Sequence, residues 1–252
     1  MTPPSQLTYI GHATTLIEID GYRLLTDPIL RGRVAHLRRR GVAVAPALFG
    51  HIDAVLLSHL HLDHFDLPSL RRLDRTTRLL VPPGAGSLLR RQGFTAVEEL
   101  VPGATTTIGT VPITATPALH SGFRPPLGPT VTAIGFLIGA TRRIYFPGDT
   151  DLFPGMADLN TDLDLALLPV WGWGPTLGPG HLNPERAAEA LRLLQPRLAI
   201  PIHWGTLHPV GLGNRQPPFL ADPPHSFARH AALLAPEVAI TILQPGETLL
   251  LT

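Results

Sequence analysis

The sequence contains neither cysteine nor lysine, and these two absences remove several kinds of chemistry. Without cysteine there are no disulfide bonds, thiolate nucleophiles or cysteine-ligated metal sites. Without lysine there is no side-chain amine that could form a Schiff base with a substrate. The 20 basic residues are therefore all arginine. Proteins in reducing compartments rarely contain disulfides, so the lack of cysteine agrees with a cytoplasmic location. We expect this protein to be cytoplasmic.

Charge and long apolar runs are also scarce. Charged residues make up 15% of the 252 residues and the net charge is +1, which argues against nucleic acid or a membrane surface as partner. No apolar run approaches the roughly 20 residues of a membrane span, and the first residues do not resemble a secretory signal. Apolar residues make up 44%, enough for a sizeable core. We expect one domain over residues 1–252 and a small-molecule substrate, with a homo-oligomer left open.

Three histidines and an aspartate occur within the six positions 59–64, directly after the apolar run 54–57. The apolar run predicts a short buried strand, so the cluster lies in the loop at its end. His59 and His61 point the same way if the backbone stays extended, and Asp63 and His64 can aim at a second point nearby. Imidazole and carboxylate bind zinc and similar divalent ions. One ion could not use all four groups, whereas two adjacent ions could.

Single ligand-type residues follow three later apolar strands. They are His120, Asp149 and His203, and Gly148 provides a tight turn before the aspartate. Each alone is more often an ordinary polar residue than a ligand. In this order after the histidine loop, they predict a metal centre.

The periodicity predicts an α+β fold. Residues 14–19 and 22–26 form a hairpin around Asp20-Gly21, and Asn183-Pro184-Glu185 has the residue types that begin a helix. The basic stretch 31–40 is predicted to be an exposed, irregular loop. Because the early hairpins are antiparallel, the chain cannot form a simple doubly wound sheet. Two stacked sheets with helices outside fit the pattern best.

The order His-x-His-x-Asp-His, His, Asp, His resembles the metallo-β-lactamase fold superfamily over nearly the whole chain. The segments 11–14, 148–150 and 203–206 are similar to the branch with ascorbate-phosphate lactonase and N-acyl phosphatidylethanolamine phospholipase D, and 181–185 resembles a piece of that phospholipase. The resemblance implies a four-layer αββα sandwich with a dinuclear site at one edge. The segment 118–122 and the absence of a cysteine ligand depart from true β-lactamases and glyoxalase II, which argues against those activities.

The resemblance also implies a role for individual residues. Two divalent ions, zinc by default with manganese or iron as alternatives, would share seven ligands: His59, His61 and His120 for the first ion, Asp63, His64 and His203 for the second, and Asp149 as the bridge. Asp27 would orient the ligand side chains without binding an ion itself. His12 is interpreted as a structural residue or a second orienting residue.

Substrate contacts are less well defined by the sequence. His181 is a candidate acid or hydrogen-bond donor, with a purely structural histidine as the alternative. Trp171 and Trp173 are candidates for the pocket wall, unless they only anchor their loop. Arg124 could hold an anionic group, and His208 could line the pocket.

The expected activity is hydrolysis of a phosphodiester or a lactone by a hydroxide held between two metal ions, with Asp63, Asp149 and His181 as the catalytic side chains. Two alternatives remain. A di-iron redox protein would use the same ligands, although that activity usually requires a flavin domain. A non-catalytic metal-binding module would have the same fold, although it would be expected to have lost ligands.

Overall fold

The computed structural model describes residues 4–41, 43–124, 128–139 and 141–251. Its strands are β1 Gln6–Gly11, β2 Thr14–Ile19, β3 Tyr22–Thr26, β4 Arg33–Val34, β5 Leu37–Arg39, β6 Ala54–Leu56, β7 Arg78–Val81, β8 Val97–Glu99, β9 Thr105–Ile108, β10 Val111–Pro117, β11 Ile134–Ile138, β12 Ile144–Phe146, β13 Leu165–Pro169, β14 Leu198–Ile202, β15 Leu207–Pro209, β16 Ala239–Ile240 and β17 Thr248–Leu250. Its α-helices are α1 Leu67–Leu70, α2 Gly86–Arg91, α3 Pro184–Leu194 and α4 Asp222–Leu234. Within these ranges, no helix has both the length and the apolar character needed to cross a membrane.

The strands form two large sheets and one small one. The first sheet has the order β17-β1-β2-β3-β6-β7-β8, the second β16-β14-β13-β12-β11-β10-β9, and the small sheet β15-β5-β4. Each large sheet combines antiparallel hairpins with a parallel section. The predicted hairpin of β2 and β3 is confirmed with its bounds.

Alternate residues of the first sheet belong to two different apolar clusters. Leu24 and Leu56 pack into the cluster between the two large sheets, whereas Leu25 and Val55 pack into the cluster beneath α1 and α2. Successive side chains of a strand point to opposite faces, so this sheet is covered on both sides. Helices α3 and α4 contribute to the inter-sheet cluster from the other side. The predicted αββα sandwich is confirmed.

The prediction for residues 31–40 was wrong. This basic stretch contains the hairpin of β4 and β5, which pairs with β15 and buries Val34 and Leu37. Arg39 is also buried, because its guanidinium donates to the main-chain carbonyls of Ile10 and Ile29. Those acceptors come from other strands and loops, so sequence charge alone predicted too much exposure.

Candidate metal centre

The predicted ligands meet where strands of the two large sheets end. The histidine loop follows β6 in the first sheet. His120, Asp149 and His203 follow β10, β12 and β14 in the second. The sandwich therefore brings residues from four separate parts of the chain to one edge, where catalytic loops of layered folds commonly lie.

The first group contains His59, His61 and His120, whose ligand atoms lie within 4.8 Å of one another. The inward nitrogens Nδ1 of His61 and Nε2 of His120 are 2.9 Å apart. The opposite ring nitrogens contact oxygen atoms: His59 Nδ1 lies 2.9 Å from Ser58 Oγ, His61 Nε2 2.8 Å from Phe123 O, and His120 Nδ1 2.7 Å from Gly180 O.

The second group contains Asp63, His64 and His203 and is joined by His12. The Nε2 atoms of His64 and His203 are 2.9 Å apart, and His12 Nε2 lies 2.9 Å from Asp63 Oδ2. Here too the outer ring nitrogens contact oxygens: His64 Nδ1 lies 2.7 Å from Asp27 Oδ2, and His203 Nδ1 2.7 Å from Trp171 O.

These contacts determine which ring nitrogen of each ligand histidine holds the proton. A carbonyl or carboxylate oxygen only accepts, so the outer nitrogen must donate, and in a neutral ring the inward nitrogen keeps a lone pair. Ser58 Oγ donates to Asp27 Oδ2 over 2.6 Å and can therefore accept from His59. The lone pairs of His61 and His120 face each other at 2.9 Å and repel unless a cation lies between them. The inward nitrogen of His64, whose pKa is raised, holds a proton that a metal ion would replace. The arrangement fits divalent metal ions, which neutral imidazoles bind through these atoms.

Two buried polar atoms support the same conclusion. His59 Nε2 and Asp149 Oδ1 have no hydrogen-bond partner among the described residues. Both side chains are at most 2% exposed. A buried polar atom without a partner costs on the order of 1–3 kcal/mol, and a metal ion would remove that cost.

Asp149 lies between the two groups. Its Oδ2 is 3.2 Å from His64 Nε2 and 4.0 Å from His59 Nε2, and its Oδ1 is 3.2 Å from His203 Nε2. One carboxylate therefore faces histidines of both groups. This is the placement that a ligand shared by two ions requires.

The electrostatics of the site favour positive charge at this point. Burial alone would raise the pKa of Asp149, but the neighbouring His203 and His64 hold it well below its usual value. Burial would lower the pKa of His64, but the carboxylates of Asp149 and Asp63 hold it well above its usual value. By contrast, burial lowers the pKa of His120 to about 4, so this ring is neutral at pH 7.

Backbone strain is concentrated at the same place. His12, Asp27 and His203 have φ angles of 59°, 30° and 63°, which residues with a Cβ rarely adopt. The strained residues are tied together, because His203 N donates to His12 O over 2.8 Å. Gly11 permits this approach, since a Cβ there would lie 2.7 Å from Thr206 Oγ1. Such strain persists where the surrounding structure determines the conformation, as at many functional sites.

A cavity of about 350 Å³ opens beside Asp63, Asp149 and His203. His181 lines it, with Nε2 3.5 Å from Asp149 Oδ2, and so does Trp173. Burial would lower the pKa of His181, but the Asp149 carboxylate raises it to about 9. The ring can therefore donate from both of its nitrogens at pH 7.

Three predicted pocket residues lie elsewhere. Trp171 is not among the described residues that line this cavity; it packs against the main core, and its carbonyl contacts His203. Arg124 contacts the carbonyls of Leu60 and Phe65 and lies over the Phe65 ring, so it holds the histidine loop from outside. His208 lines a different cavity.

His12, which the sequence indicated as a structural or orienting residue, touches Asp63 directly. The contribution of Ser58 was not anticipated from the sequence. Ser58 links Asp27 to His59 through one hydroxyl. The signal for Ser58 was its position directly before the first histidine.

Similarity to known proteins extends over most of the chain. The family model described as "Beta-lactamase superfamily domain" matches residues 22–204. A metal-dependent hydrolase of Methanopyrus kandleri is 32% identical over 96% of this chain and 98% of its own length. The N-acyl-phosphatidylethanolamine-hydrolyzing phospholipase D 1 of Caenorhabditis elegans is 31% identical over 81% of this chain. The chain spans 64% of the length of that phospholipase and of similar mycobacterial proteins.

Solved structures agree on the fold. Igni18, a metallo hydrolase from Ignicoccus hospitalis, has a TM-score of 0.76 and 24% identity, with 98% of both chains covered. The matched region of the family model includes all seven predicted ligands but begins after His12. The region that matches the family model therefore contains the clustered ligands.

Proposed function

Because this chain belongs to the β-lactamase superfamily domain family, we propose that it is a hydrolase whose centre holds two divalent metal ions. One observation supports this proposal more strongly than the others. The outer nitrogens of His61 and His120 are bonded to carbonyl oxygens, which leaves the unprotonated nitrogens of these two rings facing one another at 2.9 Å. Zinc is the ion that we propose first, since histidine and aspartate ligands without cysteine suit it, with manganese and iron as alternatives.

The residues divide into two sets of ligands around a shared carboxylate. His59, His61 and His120 would hold one ion, Asp63, His64 and His203 the other, and Asp149 would contact both. When bound, such a pair of ions supplies a water that loses its proton near neutral pH and a positive charge for the substrate oxygen. Asp27 and Ser58 orient the ligands, because they fix which nitrogen of His64 and His59 carries the proton.

His181 is the side chain best placed to assist the leaving group. Its Nδ1 lies 3.0 Å from Gly178 O, which keeps the ring in the cavity wall. Its Nε2 lies beside Asp149 and faces the space that a substrate would occupy. A donor at this position can protonate the leaving oxygen or hydrogen-bond to it as the bond breaks.

The cavity favours an uncharged substrate with an apolar part. Leu37, Leu62, Trp173 and Leu177 supply apolar parts of its wall, and no arginine is among the described residues that line it. A phosphodiester would carry a negative charge into this wall without a guanidinium partner, whereas a lactone or another ester would not. We therefore propose a lactone or another ester as the first candidate substrate. A phosphodiester is the second candidate, favoured by the similarity to the C. elegans phospholipase.

The test measures metal content per chain and hydrolysis on the same preparation. We expect about two ions per chain, turnover of γ-lactones or p-nitrophenyl esters, and slower turnover of bis(p-nitrophenyl) phosphate. Faster turnover of the phosphodiester would make phosphodiesters, rather than lactones or esters, the first candidate substrates. A protein that binds no zinc or manganese even after reconstitution would refute the hydrolase proposal itself.

Substitution Trp173→Ala tests the cavity wall. Removing a large aromatic side chain from a substrate contact should raise KM for an ester with an apolar acyl group by about tenfold or more. The value of kcat should change little, because Trp173 does not touch the ligands. Leu233→Ala is a matched control, since Leu233 is 80% exposed on α4. An unchanged KM in the Trp173 variant would place the substrate elsewhere.

A further inference from the structure

A second cavity, of about 610 Å³, has four arginines in its wall. Its walls include Arg38, Arg39, Arg40 and Arg215, and we call it the arginine pocket. It shares no described lining residue with the cavity at the metal centre. The small sheet supplies one wall, and the loops around residues 205, 214 and 245 supply the others.

The positive charge of the arginine pocket faces no carboxylate in the described part of the chain. No aspartate or glutamate occurs among its described lining residues. Arg40 donates to the carbonyls of Gly205 and Leu220 and to the side-chain oxygen of Gln216, all of which are uncharged acceptors. Across a cavity of this size, several guanidinium groups without carboxylates attract an anion.

Arg39 strengthens this argument because it is buried. It is 7% exposed, and its two bonded nitrogens donate to main-chain carbonyls, while its Nε has no partner in the described part of the chain. Burial lowers the pKa of its guanidinium. A buried cation normally has a carboxylate partner, and none of the described residues that line the pocket supplies one.

We propose that the arginine pocket binds a small phosphorylated organic molecule. Planar guanidinium groups match the oxygens of phosphate in pairs, and a phosphate monoester carries the double charge that several arginines can share. The volume is that of a site for a whole small molecule rather than for a free phosphate ion. Trp204 and Pro245 provide apolar wall for the organic part. The net charge of +1 argues against a polynucleotide or a membrane as the partner.

The test uses the metal-loaded protein and isothermal titration with AMP, inorganic phosphate and adenosine. We expect one saturable AMP site, weaker binding of phosphate and no binding of adenosine. The double variant Arg38→Gln, Arg215→Gln should weaken AMP binding at least about tenfold, because each loses a charged hydrogen-bond donor. Both side chains are exposed, so the fold should persist.

Two controls separate this site from the metal centre and from net charge. The double variant Arg192→Gln, Arg229→Gln removes the same charge from exposed positions on α3 and α4 and should bind AMP normally. Asp149→Asn should also bind AMP normally. Binding that survives loss of Arg38 and Arg215 but disappears with Asp149 would overturn the proposal. So would equal binding of AMP and adenosine, or an absence of AMP binding.

Discussion

Substitution Asp149→Asn is expected to abolish hydrolysis and release at least one metal ion while the protein stays folded. The carboxylate faces histidines of both groups, and the amide is similar in size but carries no negative charge. Loss of residues that only orient ligands costs roughly 10–100-fold, so a shared ligand should cost more than about 100-fold. Metal content per chain and initial rates on the best ester substrate would measure both effects.

The matched control is Asp151→Asn, two residues further along the chain. The Asp151 carboxylate pairs with Arg186 over 2.6 Å and does not belong to the ligand clusters of the described residues. We expect that variant to retain two ions and near-normal rates. Full activity with two ions in the Asp149 variant would show that this carboxylate does not join the two sites.

Removal of the metal ions should destabilise the whole protein. Bound ions at about 1,000 times their Kd stabilise the folded state by about 4 kcal/mol. For a chain of this size, that corresponds to a loss of about 8–16 °C in Tm after chelation. The physical reason is local: the facing nitrogens of His61 and His120 repel at 2.9 Å, and His59 Nε2 is buried without a partner in the described structure.

Thermal denaturation before and after treatment with a chelator would measure this shift, and added zinc should reverse it. The Asp149→Asn variant provides an internal comparison, since it should show a smaller shift for the same treatment. A metal-free protein with the same Tm as the loaded one would contradict the expectation. In that case, the cluster would be stable as a hydrogen-bonded network alone.

Local sequence patterns predicted much of the fold. Alternating apolar residues and the turn Asp20-Gly21 specified the first hairpin, because register in such a hairpin follows from its turn. Asn183 accepts from Arg186 N over 2.9 Å, as the helix-start signal predicted. The order of the ligand residues was also visible, since each follows an apolar strand that ends at the same edge.

The errors arose where distant parts of the chain decide a side chain's surroundings. Arg39 is buried because carbonyls of Ile10 and Ile29 accept from it, which no pattern within residues 31–40 reveals. Trp171 and Trp173 share the neighbour Gly172, yet of the two only Trp173 is among the described residues that line the cavity. Arg124 packs against the histidine loop through carbonyl contacts that a charge pattern does not encode.

The pairing of β1 with β17 has a consequence for how the newly made chain matures. Thr8 and Thr248 are 240 positions apart and become neighbours at one margin of the first sheet. At about 5–20 residues per second on the ribosome, the interval between them is roughly 10–50 s. Throughout that interval β1 exposes unpaired backbone groups that other chains could engage. Rapid capture by a chaperone during translation would therefore favour a good yield of folded protein.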